Sequence, residues 1–278
     1  MNARDENLEA WRSVAGGWER RRELIWTTTR PVAERLVDLL EPRPGQVILE
    51  LAAGPGDTGF SALPRLLPGG RLVTTDIAPE MLDAARRRAA ELGLEDVSFA
   101  VEDAAALTFD DDAFDGILCR WGLMLIPDMD AAAAEMRRVA RPGGRVALAV
   151  WASPDANEWM TASGRAALEL GLTEPPDPEA PGPFRLSGEG ALEAVLSGAG
   201  LSVQALEDVP LMWHASSVDE WWEISTDMSR LLALLRAQLT HDQLADVRQA
   251  AERRLARYLE PDGTLAVPSL ARVAVATA

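Results

Sequence analysis

Short apolar runs alternate with amphipathic stretches along the first part of the chain, from about residue 46 to residue 151. A short apolar, β-prone run between turn signals predicts a buried strand, and helical spacing of apolar residues predicts a helix. These two patterns predict strands at 46–52, 71–77, 97–103, 114–121 and 145–151, and helices near 57–67, 79–92 and 130–141. Strands that alternate with helices are typical of parallel βαβ units, so the pattern predicts an α/β fold.

The pattern changes after Trp151. A helix and a proline-rich segment, TEPPDPEAPGP, occupy residues 153–183, and the density of proline predicts a loop or lid. The segment 201–211 predicts a sixth strand, and 216–258 predicts two or three helices. The β-prone tail TLAVPSLARVAVATA could return to the sheet, where Pro268 favours a sheet edge or the start of a strand.

The chain of 278 residues is strongly acidic, with a formal net charge of −17 and an isoelectric point of about 4.6. Its field repels nucleic-acid phosphates and anionic membranes, so neither is expected as a partner. All 27 basic residues are arginine. The absence of lysine from the sequence excludes Schiff-base catalysis and the phosphate-binding P-loop, because both need a lysine amine.

Cys119 is the single cysteine, which excludes an intrachain disulfide and a cysteine-based metal cluster. The N-terminal segment contains no apolar core of signal-peptide length, and no later stretch approaches ~18 uninterrupted apolar residues. These features predict a cytoplasmic protein without a membrane span. The acidic residues are dispersed and are not grouped with histidine at ligand spacing, so no metal is expected.

A glycine-rich turn follows the first predicted strand in VILELAAGPGDTG, residues 47–59. Gly54 and Gly56 allow the backbone to turn tightly and to approach a ligand that a Cβ atom would block. Together with Gly59 and with Asp76, which lies twenty residues beyond Gly56, the turn formally satisfies the dinucleotide fingerprint. An NAD(P)-dependent oxidoreductase is therefore one candidate.

Two carboxylates at this turn argue against a dinucleotide. Glu50 lies near the carboxyl end of the predicted strand, just before the turn, and Asp57 lies inside the turn, where a pyrophosphate would otherwise meet the amide groups that begin a helix. The negative side chains would repel a double anion, whereas they favour a ligand with an ammonium group, a sulfonium centre and no phosphate. S-adenosylmethionine is such a ligand.

This segment resembles the class I S-adenosylmethionine-dependent methyltransferases, in particular the small-molecule branch around the ubiquinone and menaquinone methyltransferases. The resemblance runs from about residue 31 to residue 210 and rests on ELAAGPG and on MRRVARPGGRVALAVW. It implies that Glu50 and the glycine turn hold the amino-acid part of the cofactor, that Asp76 binds the ribose and that Asp103 binds the adenine amino group. The implied cofactor-binding residues are Trp18, Glu50, Ala52, Gly54, Gly56, Asp76, Ile77, Met81, Asp103, Ala104, Cys119 and Arg120.

Some of these residues also fit structural roles. Asp76 could cap the helix that follows it, and Cys119 could be an ordinary small residue of the core. The tetrapeptide CRWG, which contains Arg120, departs from the Asn/Asp-Pro-Pro-aromatic motif of enzymes that methylate amide or base nitrogens. This departure disfavours DNA and protein glutamine as substrates.

Most tryptophans lie outside the central βα region, in an expected N-terminal cover and helical cap. A flat apolar or aromatic acceptor could be bound by such side chains, although they could equally fix the cap to the sheet. The predicted acceptor contacts are Trp121, Trp213 and Trp222.

Methyl transfer from a sulfonium needs alignment, exclusion of water and, for a hydroxyl acceptor, a base. His214 follows the sixth predicted strand and is the candidate base. Glu223, Asp227 or proximity alone could replace it.

The sequence and the resemblance together predict a Rossmann-like α/β fold with a seven-stranded, mostly parallel sheet, helices on both faces and a helical cap. The predicted enzyme transfers a methyl group from S-adenosylmethionine to an O, C or N atom of a small, aromatic or quinone-like acceptor, releases S-adenosylhomocysteine, and is a monomer or homodimer. A noncatalytic S-adenosylmethionine-binding module is a further alternative. The predicted regions are an N-terminal helical cover (1–30), a cofactor-binding core (31–151), a helix with a proline-rich lid (152–185), a continuation of the core (186–211), a helical cap (212–262) and a C-terminal strand (263–278).

Overall fold

Seven strands pair into one sheet in the computed structural model, which describes the backbone of residues 3–278 and the side chains from residue 5 onward. The strands are β1 (Val47–Glu50), β2 (Arg71–Asp76), β3 (Val97–Val101), β4 (Phe114–Arg120), β5 (Ala140–Trp151), β6 (Ser202–Ala215) and β7 (Leu265–Thr277). Their order across the sheet is β3-β2-β1-β4-β5-β7-β6, and β7 runs antiparallel to both of its neighbours. The predicted seven-stranded, mostly parallel sheet is therefore confirmed.

Ten α-helices lie within residues 3–278. They are α1 (Ala3–Arg20), α2 (Arg22–Leu40), α3 (Asp57–Leu66), α4 (Pro79–Glu91), α5 (Met129–Val139), α6 (Glu158–Glu169), α7 (Ala191–Gly198), α8 (Val218–Met228), α9 (Arg230–Gln238) and α10 (His241–Leu255). α3 packs against both α2 and α4, and all three helices contact the sheet. α5 and α7 pack against each other and contact β5 and β6, respectively. In the part of the chain that the structure describes, no helix has both the length and the apolar character needed to cross a bilayer.

Local sequence signals set the ends of several helices. Pro79 is the first residue of α4, and Gly93, with a φ of 66°, follows its end, as the sequence predicts. At the start of α10, Thr240 and Gln243 form a capping box, in which each side chain bonds the backbone of the other residue.

Two strands are longer than the sequence predicts. β5 begins at Ala140 instead of residue 145, because Ala140 pairs with Phe114 of β4, and the pairing resumes at Arg145 after a bulge in which Gly143 has a φ of 78°. Gly143 N donates to Ala278 O at 2.9 Å, and Ala278 N donates to Gly144 O at 3.0 Å. β6 continues to Ala215 instead of residue 211, because β7 pairs with it along its whole length.

Pro268 lies in β7 at a position where β7 pairs with β6 alone. It is opposite Met212 of β6. On the other side of β7, the pairing with β5 ends at Trp151, which is opposite Ala271. The missing amide of proline therefore costs no hydrogen bond to β5, and the predicted edge-like environment is confirmed.

Candidate functional site

The loop between β1 and α3 runs along the rim of the sheet where β1, β2 and β4 end. Two of its amides are fixed by β2, since Ala53 N donates to Thr75 O at 3.0 Å and Gly54 N donates to Asp76 Oδ2 at 2.9 Å. Gly54 has a φ of 56°, and a Cβ atom at this position would point into open space. The loop therefore presents bare backbone to open space beside the ends of β1 and β2, where a ligand can approach closely.

Asp76, the last residue of β2, links this loop to α4. Its Oδ1 accepts a hydrogen bond from Ala78 N at 2.9 Å, while Oδ2 binds Gly54 N at the same distance. The side chain is 8% exposed, and burial raises its pKa against the opposing effect of these amide bonds. Asp76 does not cap α4, because Ala78 is the N-cap residue and, among the described residues, no side chain accepts from the first turn of the helix. The ribose-binding role stays a prediction.

Glu50, the last residue of β1, is buried beneath the first turn of α3. Its Oε1 accepts from Gly59 N at 2.7 Å, and its Oε2 accepts from Thr74 Oγ1 at 3.2 Å. A Cβ atom on Gly59 would overlap the Glu50 carboxylate, which explains the glycine there. Burial raises the pKa of Glu50 to about 8, although the Gly59 amide, Arg120 and Thr74 oppose this shift.

The raised pKa of Glu50 predicts a pH-dependent contribution to stability. A carboxyl whose pKa is higher in the folded state stabilises the fold below its unfolded pKa of 4.5, and this contribution is lost as the pH rises through about 8. Glutamine does not titrate, so we expect Glu50→Gln to lose less stability than wild type as the pH rises. The free energy of unfolding of the variant minus that of wild type should increase by more than about 1 kcal/mol between pH 5 and pH 9. Urea denaturation at the two pH values measures the difference. Parallel pH profiles for the two proteins would contradict the assignment.

Arg120 ends β4 as a half-buried cation held by hydroxyl groups. Its Nε donates to Thr58 Oγ1 of α3 at 2.6 Å, and its Nη1 donates to Thr29 Oγ1 of α2 at 2.9 Å. Burial lowers the pKa of Arg120 to about 10, opposed by the nearby charges of Glu50 and Asp57. The guanidinium is therefore poorly solvated at the rim, and an anionic group of a ligand would compensate for this.

Trp121 follows Arg120 with a φ of 59°, which is rare for a bulky residue and often marks a functional site. Its ring stacks on Trp151 at the end of β5, with centroids 4.0 Å apart and planes 9° apart, and Arg120 lies 4.6 Å from the ring centroid on its face. The adjacent Gly122 contacts the β1 loop so closely that a Cβ atom there would lie 2.5 Å from that of Ala52. The predicted residues Ala52, Arg120 and Trp121 are thus brought together.

Cys119 lies in the core below this point. It is fully buried, and burial raises the pKa of its thiol to about 11, so it is not poised as a nucleophile.

The β3 side of the rim carries Asp103 two residues beyond the end of the strand, in a tight turn. Asp103 Oδ1 accepts from Ala105 N at 3.0 Å, and Ala104 is partly exposed beside it. Glu102, which the sequence analysis did not single out, is buried and accepts from both the amide and the hydroxyl of Thr108. It fixes the turn that presents Asp103.

Trp18 of α1 lies against the start of α4. It packs against a cluster of Ala15, Ala78 and Met81, of which Met81 is one of the cofactor-binding residues that the resemblance implies, and its ring centroid is 6.0 Å from that of Trp11. Its indole Nε1 is buried, and no atom among the described residues accepts its hydrogen. Ile77 is half-buried next to this cluster. The N-terminal aromatic predicted over the cofactor is therefore placed beside the Asp76 end of the rim.

Trp213 and Trp222 lie in a different group. Trp213 stacks on Trp159 with centroids 5.3 Å apart, and Trp221 contacts both Trp159 and Trp222 and donates from Nε1 to Trp159 O at 3.2 Å. Trp213 is buried, so it fixes the cap to β6, whereas Trp222 is half-buried and lines a cleft of about 390 Å³. The contact of Trp213 and Trp222 with an acceptor stays a prediction.

His214 is not brought together with the rim residues. It is exposed on β6, opposite Ala266. Across the sheet, the residue of β6 at the same level as Arg120 is Glu207, which precedes His214 by seven residues. The role of His214 as a base therefore stays a prediction, and the structure adds no contact in its favour.

The two alternative bases lie at the surface of the cap. Asp227 accepts from Arg20 and Arg21, each at 2.6 Å. Burial would raise its pKa, but these two hydrogen bonds lower it. Glu223 is exposed, 3.9 Å from Arg21. A carboxylate with a lowered pKa is a weak base, so Asp227 does not fit that role.

Sequence reasoning missed the polar partners that hold the site together. Thr29, Thr58, Thr74 and Glu102 carry no motif, and their partners are distant in sequence or specific to the local turn. Trp151 was assigned only as the end of a strand.

The sheet order and the acid and glycine residues at its rim define a Rossmann-like protein with the methyltransferase fold. A solved structure from Bacillus halodurans C-125, described as a candidate methyltransferase, matches with a TM-score of 0.61 at 16% identity, over 88% of this chain and 97% of that one. At this identity the match shows the fold alone. The ubiE/COQ5 methyltransferase family model matches residues 24–162, one half of the chain, so the protein belongs to the ubiE/COQ5 methyltransferase family.

Curated relatives match the same region. Nocamycin O-methyltransferase of Saccharothrix syringae is 43% identical over 119 residues, which cover 43% of this chain and 42% of the relative. A ubiquinone/menaquinone biosynthesis C-methyltransferase of Acidiphilium cryptum (strain JF-5) is 37% identical over 139 residues, 49% of this chain and 55% of the relative. The matched region thus spans about half the length of these relatives.

Proposed function

We propose that the protein transfers a methyl group from S-adenosylmethionine to an O, C or N atom of a small, aromatic or quinone-like acceptor and releases S-adenosylhomocysteine. The observation that carries this proposal is the buried carboxylate of Asp76 beside the open backbone at Gly54, with the carboxyl of Glu50 beneath the same loop, where a bound cation would favour its ionised form. Such a site suits a positively charged nucleoside without phosphate. The family membership supports the reaction type. The names of the two relatives, an O-methyltransferase and a C-methyltransferase, support it as well.

The residues present fit this cofactor. Asp76 and the partly exposed Ile77 lie next to the loop, and the unpartnered indole N–H of Trp18 lies beside Met81, where the nucleoside would bind. The residues that would hold S-adenosylmethionine are Trp18, Glu50, Ala52, Gly54, Gly56, Asp76, Ile77, Met81, Asp103, Ala104 and Arg120, with Cys119 behind them. The bound cofactor would supply an electrophilic methyl group for an in-line displacement.

The protein's contribution is alignment, exclusion of water and charge. The stacked rings of Trp121 and Trp151, which are 8% and 6% exposed, would form an apolar wall at the end of β4 and keep water away from an acceptor. The guanidinium of Arg120, which Thr29 and Thr58 orient, would stabilise an anionic oxygen at this rim. We propose that the enzyme needs no metal and acts in the cytoplasm as a monomer or homodimer.

A turnover assay tests this function. The protein is incubated with S-adenosylmethionine labelled in the methyl group and with a panel of phenols, quinols, enols and amines, and extraction of labelled product is measured. We expect product with at least one aromatic or quinol acceptor. Binding of S-adenosylhomocysteine without turnover on any acceptor would favour a noncatalytic module.

A further inference from the structure

The helix α1 joins two parts of the molecule, the cofactor side and the helical cap. On one side it packs Trp18 against Met81 of α4. On the other side it packs against α8 and α9 of the cap. Any movement of α1 therefore affects both the expected nucleoside position and the expected acceptor side.

The contact with α8 is very close. A Cβ atom built on Gly17 would overlap the main-chain carbonyl oxygen of Asp227, and the carbonyl carbon of Asp227 would lie 2.7 Å from it. Only glycine permits the two helices to approach in this way, and the obstacle is backbone that cannot rotate away. Gly17 is therefore required for the docking of α1 on α8.

Arg20 and Arg21 reinforce the same contact. Both donate to the carboxylate of Asp227 at 2.6 Å, one to each oxygen. The Asp227 side chain is 20% exposed, so this pair of charge-assisted bonds is partly shielded from water. A further link to the cap is made by Arg230 of α9, whose guanidinium lies 5.5 Å from the ring centroid of Trp11.

The contact with α4 is held by weaker interactions. Its ion pairs are Arg12 with Glu80 and Arg87 with Glu19, and in each pair both side chains are about 40% exposed or more. Exposed pairs of this kind contribute little to an interface. α1 and α2 meet at Arg21, which has a φ of −94° and a ψ of 8° and whose amide still donates to Gly17 O at 3.0 Å.

We propose that the docking of α1 on α8 of the cap holds α1 against α4, and that this docking controls how readily α1 leaves α4 to admit and release the cofactor. Gly17 and Asp227 are then positioning residues, because they hold Trp18 over the nucleoside without touching it. The cap and the cofactor site become coupled, so that docking of the cap slows release of the cofactor. This inference rests on the proposed function, since it assumes that S-adenosylhomocysteine binds at the rim.

The test compares Gly17→Ala with Gly16→Ala. Both substitutions add the same methyl group to the same helix and favour the helical conformation equally. The nearest atom to a Cβ on Gly16 is the end of the flexible Arg20 side chain, at 3.4 Å, so this variant keeps the docking surface. Any difference between the variants therefore reports on the contact with α8.

The rate of S-adenosylhomocysteine release is measured by stopped-flow tryptophan fluorescence with an unlabelled competitor. We expect Gly17→Ala to accelerate release by about tenfold or more, within the usual range of coupling between linked sites, and Gly16→Ala to change it by less than about twofold. Equal release rates from the two variants would overturn the inference, whereas failure of wild type to bind S-adenosylhomocysteine would overturn the proposed function instead. If Gly17→Ala loses cooperative thermal unfolding, Asp227→Asn replaces it. Faster release of S-adenosylhomocysteine from Asp227→Asn than from wild type supports the coupling. A release rate equal to that of wild type refutes it.

Discussion

Asp76→Ala is expected to weaken the binding of S-adenosylhomocysteine by about a hundredfold, because hydrogen bonds to a charged group contribute about 1.5–3 kcal/mol each. The substitution removes the carboxylate that would accept the ribose hydroxyls. It also frees the amides of Gly54 and Ala78, which Asp76 binds at 2.9 Å, so the loop loses its fixed shape. Both effects act in the same direction on affinity.

Asp83→Ala is the matched control for this experiment. Asp83 is an exposed acid on α4 whose partner is Arg86, one turn along the same helix, at 2.8 Å. Its removal changes the net charge of the protein by the same amount but leaves the rim intact. Isothermal titration calorimetry gives both affinities. If folded Asp76→Ala and Asp83→Ala bind the nucleoside equally well, Asp76 does not belong to the cofactor site.

Arg120→Met is expected to have opposite effects on activity and on stability. We expect turnover to fall by about a hundredfold or more, the cost of losing one oriented charge donor at a reacting centre. We also expect the thermal unfolding midpoint to stay the same or to rise by about 2 °C. The lowered pKa of Arg120 means that its charged form is disfavoured in the folded protein, so its removal relieves a penalty at neutral pH.

Arg65→Met serves as the control for Arg120→Met. Arg65 is on α3, about half exposed, and pairs with Asp38 at 2.5 Å. Its replacement should leave both turnover and the unfolding midpoint close to wild type. An Arg120→Met enzyme with wild-type turnover would show that the half-buried guanidinium is only a structural feature, and a large loss of stability would show that its hydroxyl partners outweigh the cost of burial.

The strands of the parallel part of the sheet and the rim were largely predictable from the sequence because their signals are local. Buried parallel strands appear as continuous apolar runs, and the acid at the end of a strand followed by glycine marks the loop. Glu50, Gly54 and Asp76 therefore lie where the motif predicts. The extension of β6 to Ala215 has no such signal, because it depends on pairing with β7, fifty residues further on.

The electrostatics of the site were less predictable. The sequence places Glu50 at the mouth of the loop, but its carboxyl turns inward to Gly59 and Thr74, and burial raises its pKa. No pattern along the chain predicts which hydroxyl groups hold Arg120, since Thr29 lies ninety-one residues earlier. Helix packing decides these contacts, and packing depends on the whole fold.

The choice of ligand at the glycine turn tests the account most directly. Separate titrations of the wild-type protein with S-adenosylhomocysteine and with NADPH, at the same pH and ionic strength, report which ligand the carboxylates of Glu50 and Asp76 accept. We predict saturable binding of S-adenosylhomocysteine at one site per chain and no detectable binding of NADPH. Tight binding of NADPH together with no binding of S-adenosylhomocysteine would contradict the account.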